Sequence, residues 1–236
     1  MSPPIALLVP SRGRPHNARA LIESWQATTE GKSWLWFLID EDDPTANAYS
    51  QLWSELNNGP SLQLGFWFGT PARLVEWTNV AATHFMGRHA ILGSVGDDHR
   101  LSLGWESTIL RAFDELGGTG IVYGDDGIRG EDCATAFFFS SNIVRTLGYM
   151  GPPTLEHLFV DDAAMALGRA AGCLRYVPEL KIPHLHPIAH KAEWDDTYQR
   201  GNGGEVWAKD SAAFEAWKRD GLKDAAAKIK ALRGTP

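Results

Sequence analysis

The chain alternates short apolar runs with longer segments whose apolar residues recur at helical spacing. Ile5 to Val9 is a continuous apolar run stopped by Pro10 and the polar turn Ser11-Arg12-Gly13-Arg14-Pro15, which predicts a buried strand and then a loop. A helix follows, with Asn17 as its cap, Ala20, Leu21, Ser24, Trp25 and Thr28 on one face, and Gly31 closing it. Trp34 to Ile39 is a second buried strand that runs into Asp40, Glu41, Asp42 and Asp43 before Pro44. The spacing then predicts a helix over 45–58 with Tyr49, Leu52, Trp53 and Leu56 inward, and a strand over 62–67. A helix over 73–86 follows, with Leu74, Trp77, Val80, Ala81 and Phe85 inward. His89 to Val95 is the next strand and delivers Gly96-Asp97-Asp98-His99 at its carboxyl end. This alternation of strand and helix predicts an α/β fold with an open, mainly parallel sheet covered on both faces.

The second half changes character. A helix over 105–116 leads to a strand over 121–123, the acidic turn Gly124-Asp125-Asp126-Gly127 and a strand over 134–140. Helices over 142–149 and 155–171 precede a strand over 173–178 and the segment Ile182-Pro183-His184-Leu185-His186-Pro187. Residues 195–204, rich in glycine, read as a mobile loop. The tail from Asp210 to Leu232 reads as one amphipathic helix with Phe214, Trp217, Leu222 and Ile229 as its inner stripe. No internal repeat or linker interrupts the pattern, so one domain is expected.

Composition narrows the function classes. At 236 residues with 44% hydrophobic positions the chain is globular, and its charge of −7 argues against a broad grip on nucleic acid. Its two cysteines, Cys133 and Cys173, make no disulfide framework or zinc ribbon. The N-terminus lacks the basic region of a signal peptide, and no apolar run is long enough to span a membrane, so a cytoplasmic protein is expected.

In open parallel sheets the ligand crevice lies at the carboxyl ends of the strands, where this sequence places its polar clusters. Ser11 to Pro15 offers two arginines to an anion. Asp40 follows the second strand, placed to accept from a ribose hydroxyl or a base. Asp97 and Asp98 are adjacent carboxylates that resist joint ionisation unless a cation neutralises them, so with His99 they suit a hard divalent metal holding a diphosphate. No Gly-x-Gly-x-x-Gly or Walker pattern is present, which argues against a dinucleotide dehydrogenase or a P-loop NTPase.

Together these segments resemble the GT-A glycosyltransferases, especially the small family 2-like enzymes of phage and bacterial genomes. The resemblance rests on Val9-Pro10-Ser11-Arg12-Gly13-Arg14-Pro15, Leu38-Ile39-Asp40-Glu41-Asp42, Val95-Gly96-Asp97-Asp98-His99 with Gly104-Trp105, Phe159-Val160-Asp161-Asp162 and His184-Leu185-His186. It implies a Rossmann-like GT-A fold with a smaller acceptor-side sheet. Residues 1–103 would form the nucleotide-binding half, 104–207 the acceptor-binding half and 208–236 a C-terminal helix. It further implies an enzyme that uses Mn2+ or Mg2+ to transfer sugar from a nucleotide-diphosphate sugar, a UDP-sugar first, to an acceptor hydroxyl.

Residue by residue, the resemblance makes Asp97-Asp98-His99 the metal-binding element, with Asp98 the direct ligand and Asp97 or His99 assisting. His184 or His186 would complete the shell, His186 preferred. Pro10, Ser11, Arg12, Arg14, Asp40, Arg73 and Asp97 would hold the nucleotide, and Asp161 or Asp162 would be the base of an inverting enzyme. The Asp-Asp pair departs from the family's Glu-Asp, and a retaining enzyme needs no such base.

Several residues remain as lid or acceptor candidates. Asp125 and Asp126 form a second acidic turn, Lys191, Tyr198 and Arg200 lie in or beside the glycine-rich segment, and Trp105 and Trp194 are placed to stack on a sugar or base. The acceptor stays open among glycan, lipid, protein side chain and hydroxylated DNA base. A nucleotidyltransferase and an inactive nucleotide-sugar-binding module are the alternative readings.

Overall fold

A computed structural model of the chain describes residues 3–56, 63–187 and 194–234. Its elements run β1 (Ile5–Ser11), α1 (Pro15–Thr28), β2 (Ser33–Asp40), α2 (Ala46–Leu56), β3 (Leu64–Gly69), α3 (Leu74–Phe85), β4 (Ile91–Ser94) and α4 (Trp105–Glu115). The second half continues with β5 (Ile121–Asp125), β6 (Phe137–Ser140), α5 (Ser141–Leu147), α6 (Val160–Ala171), β7 (Leu174–Lys181), α7 (Asp196–Asn202), α8 (Gly204–Asp220) and α9 (Leu222–Leu232).

The strands form one seven-stranded sheet of order β3-β2-β1-β4-β6-β5-β7. All neighbours are parallel except β6, which runs against both β4 and β5. Alternate residues of the continuous apolar strands face opposite layers. Ile5, Leu7 and Val9 join Leu35, Phe37 and Ile39 in one buried cluster, while Ala6, Leu8, Leu38 and Leu92 belong to the other. From β1 the chain builds outward through β2 to β3, then returns to place β4 on the other flank of β1. The loops after β1 and β4 therefore open a crevice at the topological switch point.

Several expectations are corrected. The smaller acceptor-side sheet is not separate among the described residues: β6, β5 and β7 extend the main sheet, and beyond them there is a single isolated bridge between His99 and His184. Asn17 does not cap α1, because Pro15 already opens the helix and Asn17 sits in its first turn, donating to the Asp97 carboxylate at 3.4 Å. Trp53 and Val80, expected inward, are 42% and 45% exposed. The segment 195–204 is largely helical: the Asp195 side chain accepts from the Tyr198 N–H at 2.9 Å and caps α7. The tail is two helices rather than one, parted at Gly221, where an added Cβ would meet the Trp217 ring at 2.9 Å. Phe214 and Ile229 are buried, with Trp217 and Leu222 packed against the same cluster. The predicted ends of the 45–58 helix and 62–67 strand fall partly outside the described residues.

The helix expected from Leu155 begins only at Val160. Phe159 has φ +62°, the one non-glycine residue with positive φ among those described. Before it, the fully buried carboxylate of Asp210 in α8 accepts the N–H groups of Glu156 (2.9 Å), His157 (2.8 Å) and Leu158 (2.8 Å). These donors are spent on a side chain instead of a helix, so the segment stays a turn that leans over the crevice. Asp210→Ala leaves three N–H groups without their acceptor and is expected to lower the unfolding free energy in urea by about 3 kcal/mol. A loss under about 0.5 kcal/mol would show that the turn is held by something else.

Candidate functional site

A cavity of about 310 Å³ opens at the switch point, within the size range of small-molecule sites. Its walls come from the loops after β1 and β4, the start of α3, the turn before α6, the segment after β7, and α7.

Asp97 ties the first two loops together. Its carboxylate accepts from the Ser11 hydroxyl at 2.6 Å, and Arg14 Nη1 lies 3.5 Å away. Tyr49, expected only as an inward residue of its helix, bonds the Ser11 hydroxyl at 2.7 Å and accepts the Arg14 N–H at 2.9 Å. Burial and the adjacent Asp98 push the Asp97 carboxyl up, against the pull of Arg14, Ser11 and Asn17. Arg14 is itself nearly buried, forks onto Asp195 at 2.7 and 2.5 Å, and lies over the Tyr198 ring at 3.7 Å. The loop after β1 is thus locked to α7 as well as to β4.

Asp40 closes the far end of the cavity beside Pro10. Its Oδ1 accepts from the Ala72 N–H (3.0 Å) and the Trp77 indole N–H (2.6 Å), while Oδ2 pairs with Arg12 at 2.7 Å. Arg12 also bonds Asp42. Arg73 lines the cavity from the start of α3, with Nε 3.5 Å from Glu156.

Asp98 turns the other way, toward histidine. His184 Nε2 lies 3.2 Å from its Oδ2 and His99 Nδ1 3.4 Å from its Oδ1, and the two imidazoles stack at 4.2 Å. Ligand atoms of Asp98, His99 and His184 all lie within 4.8 Å of one another, and the set of one carboxylate and two imidazoles fits a divalent ion such as Mn2+. Burial opposes ionisation of Asp98, yet His184 and His99 beside it outweigh that and hold the carboxyl well below its ordinary value. Burial also lowers His99 and His186, which keeps both rings in the neutral form that a metal requires. A Cβ at Gly96 would lie 2.5 Å from Asp98 Oδ1 and 3.0 Å from His99 Nδ1, so glycine is needed for this approach.

The preference for His186 is reversed, since it is His184 that reaches Asp98. The segment after β7 docks through Arg100 N–H to Pro183 O (2.9 Å) and Leu185 N–H to Asp98 O (2.8 Å), which sets His184 opposite His99. His186 lines the cavity one step on, its ring 5.0 Å from that of His184. Tyr198 of α7 donates to Asp98 Oδ2 at 2.7 Å.

Asp161 lines the same cavity from the first turn of α6, its Oδ1 accepting from the Asp162 N–H and its Oδ2 from the Cys133 thiol, both at 2.9 Å. Asp162 is exposed and outside the cavity lining, which separates a pair that the sequence left equivalent. Both cysteines are free and buried, as expected.

Other candidates lie elsewhere. Trp105 is no platform: it is 1% exposed, within the hydrophobic cluster that β1 and β2 share with α4. Asp125 is outside the lining and pairs with Lys181 at 2.6 Å. Asp126 is buried behind the histidines. Arg200 lines the cavity, Trp194 is 53% exposed and edge-on to His186 and Tyr198, and Lys191 lies outside the described residues. His157 was missed; it lines the cavity against Gly201, where a Cβ would approach its Nε2 to 2.6 Å.

No protein-family model matches the chain, and no curated protein does. Among solved structures, Staphylococcus aureus TarS (1–349) in complex with UDP-GlcNAc aligns with a TM-score of 0.59 at 11% identity, over 75% of this chain and 57% of that one. The mannosyltransferase PcManGT from Pyrobaculum calidifontis, in complex with GDP-Man and Mn2+, aligns with a TM-score of 0.59 at 12% identity, over 99% and 76%. GalNAc-T7 with UDP, GalNAc and Mn2+ aligns with a TM-score of 0.61 at 8% identity, over 77% and 44%. The chain thus has the GT-A fold, and it spans less than two thirds of the length of the TarS and GalNAc-T7 chains. No helix among the described residues is long and apolar enough to cross a membrane.

The buried histidines give a pH signature. His89 is 6% and His99 2% exposed, and burial lowers both below the ordinary value of about 6.5. The unfolded chain therefore binds protons that the folded chain refuses, and stability falls as pH drops through 6.5. As pH falls from 7.5 to 6 the metal-free protein is expected to lose stability to urea through these histidines, offset in part by Asp97, whose carboxyl is pushed up to about 6 and takes its proton in the folded state, and His89→Gln is expected to lose less than wild type. The same loss in His89→Gln as in wild type would overturn the assignment to His89.

Proposed function

We propose that this chain is a metal-dependent glycosyltransferase that moves a sugar from a nucleotide-diphosphate sugar to an acceptor hydroxyl. The carrying observation is that Asp98, His99 and His184 line one cavity together with Asp161 at the switch point of a GT-A sheet. A divalent Mn2+ or Mg2+ held by the triad supplies Lewis-acid neutralisation of the diphosphate leaving group. Neighbours of the same fold carry UDP-GlcNAc, or GDP-Man or UDP with Mn2+, in that role.

The nucleotide lies along Pro10, Ser11, Arg12 and Asp40. The Asp40 carboxylate and the Arg12 guanidinium, 2.7 Å apart, present an acceptor beside a donor. That pair complements the N3–H and carbonyl of uracil, and the N1–H and O6 of guanine; adenine and cytosine offer an unprotonated ring nitrogen there instead. A UDP-sugar is the first donor and a GDP-sugar the second. Arg73 and Arg200 lie within reach of the phosphates and sugar, while Asp97 holds Ser11 and Arg14 in place for them.

Asp161 accepts the proton of the acceptor hydroxyl. The oxygen then attacks the anomeric carbon, and the sugar–phosphate bond breaks with its electron pair leaving on the diphosphate. Its two existing donors, the Asp162 N–H and the Cys133 thiol, fix the carboxylate while each oxygen retains a lone pair for that proton. A base on the acceptor side makes the transfer inverting. Residues 1–103 serve as the nucleotide half and 104–207 as the acceptor half, with His184 reaching back from the second half to complete the metal set of the first.

A melting-temperature panel of nucleoside diphosphates and their sugars with Mn2+, Mg2+ or chelator tests the reading. A metal-dependent rise confined to uridine or guanosine compounds is expected; no rise with any of them would overturn it. Asp98→Ala should abolish that rise. Asp161→Asn should keep it and lower transfer by about 10²–10⁴-fold, whereas equal loss in Asp162→Asn would mean that the base is misassigned.

A further inference from the structure

Asp126 has no place in the transfer chemistry, yet it is 2% exposed and among the most heavily bonded carboxylates of the fold. Its Oδ1 accepts the N–H groups of Ile128 (2.8 Å), Arg129 (2.7 Å) and Gly130 (3.0 Å), which closes the turn after β5. Its Oδ2 accepts the Thr135 hydroxyl at 3.1 Å, and Thr135 Oγ1 lies 3.4 Å from His99 Nε2. On the other side of that ring, the Gly96 N–H donates to His99 Nδ1 at 3.1 Å. The bonds run in one direction only. Nδ1 accepts and so carries the lone pair; Nε2 then carries the hydrogen and donates to Thr135, which donates to Asp126. The backbone carbonyl of the same Asp126 accepts the His184 N–H at 2.9 Å, and that of Asp125 accepts the Ile182 N–H at 2.9 Å.

We propose that Asp126 is the outer anchor of the metal centre: through Thr135 it fixes the tautomer and ring angle of His99, and through its own carbonyl it fixes the segment that carries His184. This inference rests on the metal-dependent reading. Asp126 and Thr135 are positioning residues, because they act on the ion through the imidazole rather than by ligating it. The relay leaves Nδ1, 3.4 Å from Asp98 Oδ1, without a hydrogen of its own, so that an ion beside Asp98 has only the Gly96 N–H to displace, and partners of this kind are worth about 10–100-fold in metal affinity. Asp125 and Asp126, which look alike in sequence, are thereby divided between a Lys181 pair and the support of the site.

The test is Mn2+ affinity without turnover, read from the electron paramagnetic resonance of free Mn2+ during titration, with and without UDP. Thr135→Val removes the hydroxyl at nearly constant shape and is expected to weaken Mn2+ binding about 10–100-fold while the metal-free protein stays folded, its melting temperature lowered only by the loss of one buried hydrogen bond. Thr135→Ser should restore affinity to within a few-fold. The imidazole ¹⁵N shifts of metal-free protein should report the Nε2–H form of His99 in wild type and a tautomer mixture in Thr135→Val. Asp126→Asn should also weaken binding, and if it unfolds the turn, Thr135→Val decides alone. Wild-type Mn2+ affinity in Thr135→Val would overturn the anchor and leave the metal reading standing. Wild-type protein that binds no Mn2+ with or without UDP would overturn the metal reading, and the anchor with it.

Discussion

Everything at the crevice follows from placing two consecutive carboxylates, Asp97 and Asp98, almost wholly out of water at the end of a buried strand. Neighbouring buried anions are unfavourable unless each has its own compensation. Here the chain turns between them, so that Asp97 faces Arg14, Ser11 and Asn17 while Asp98 faces His99, His184 and Tyr198. The two sides do different jobs. Asp97 is spent on holding loops together, and Asp98 keeps its charge for what enters the cavity. Around this division the Arg14 side chain is fixed by Asp195, the histidines by the Asp126 turn, and α7 by Arg14 on one side and Asp98 on the other.

The acceptor-side wall is built by a different device. Asp210 draws three N–H groups out of helical pairing, and the chain escapes into α6 through a left-handed Phe159. Such a conformation costs of order 1–3 kcal/mol for a side chain of this kind and persists only where its surroundings enforce it. Its product is that Val160 and Asp161 begin a helix at the edge of the cavity instead of being carried within one. The carboxylate reaches its position because the preceding turn was kept from becoming helix.

The sequence made the first four strands and their helices legible because a parallel sheet buried on both faces writes each strand as an uninterrupted apolar run, and Ile5–Val9 and Trp34–Ile39 are such runs. The loops after them line the crevice, and Ser11, Arg12, Arg14, Asp40, Asp97 and Asp98 could be placed there for that reason. Long-range pairing was not. Nothing in the residues around Asp195 announces that Arg14, far back along the chain, will stack on Tyr198 and fork onto the cap of α7. Asp125 and Asp126, or Asp161 and Asp162, differ only in which way one residue of backbone points, and Trp105 and Trp194 are alike until burial separates them. Thr135 and Cys133 carry no local signal at all, since a hydroxyl or a thiol becomes a support only through a partner brought from another element.

The antiparallel β6 has a consequence for how the molecule assembles. β3, β2, β1 and β4 come from one contiguous stretch of chain, and β6, β5 and β7 from the next, and the two groups meet along the ladder that pairs Ile91–Ser94 with Ser140–Phe137. Both buried clusters also run across that seam, so neither group has a complete core without the other. Asp98 and His99 stand on one side of the seam, and His184, Asp126 and Asp161 on the other. The three-residue cluster therefore does not exist in either half alone, and any ion or nucleotide that binds it stabilises only the docked state. A ligand held there would be coupled to the seam in the same equilibrium and would act as a clasp between the two halves of the sheet.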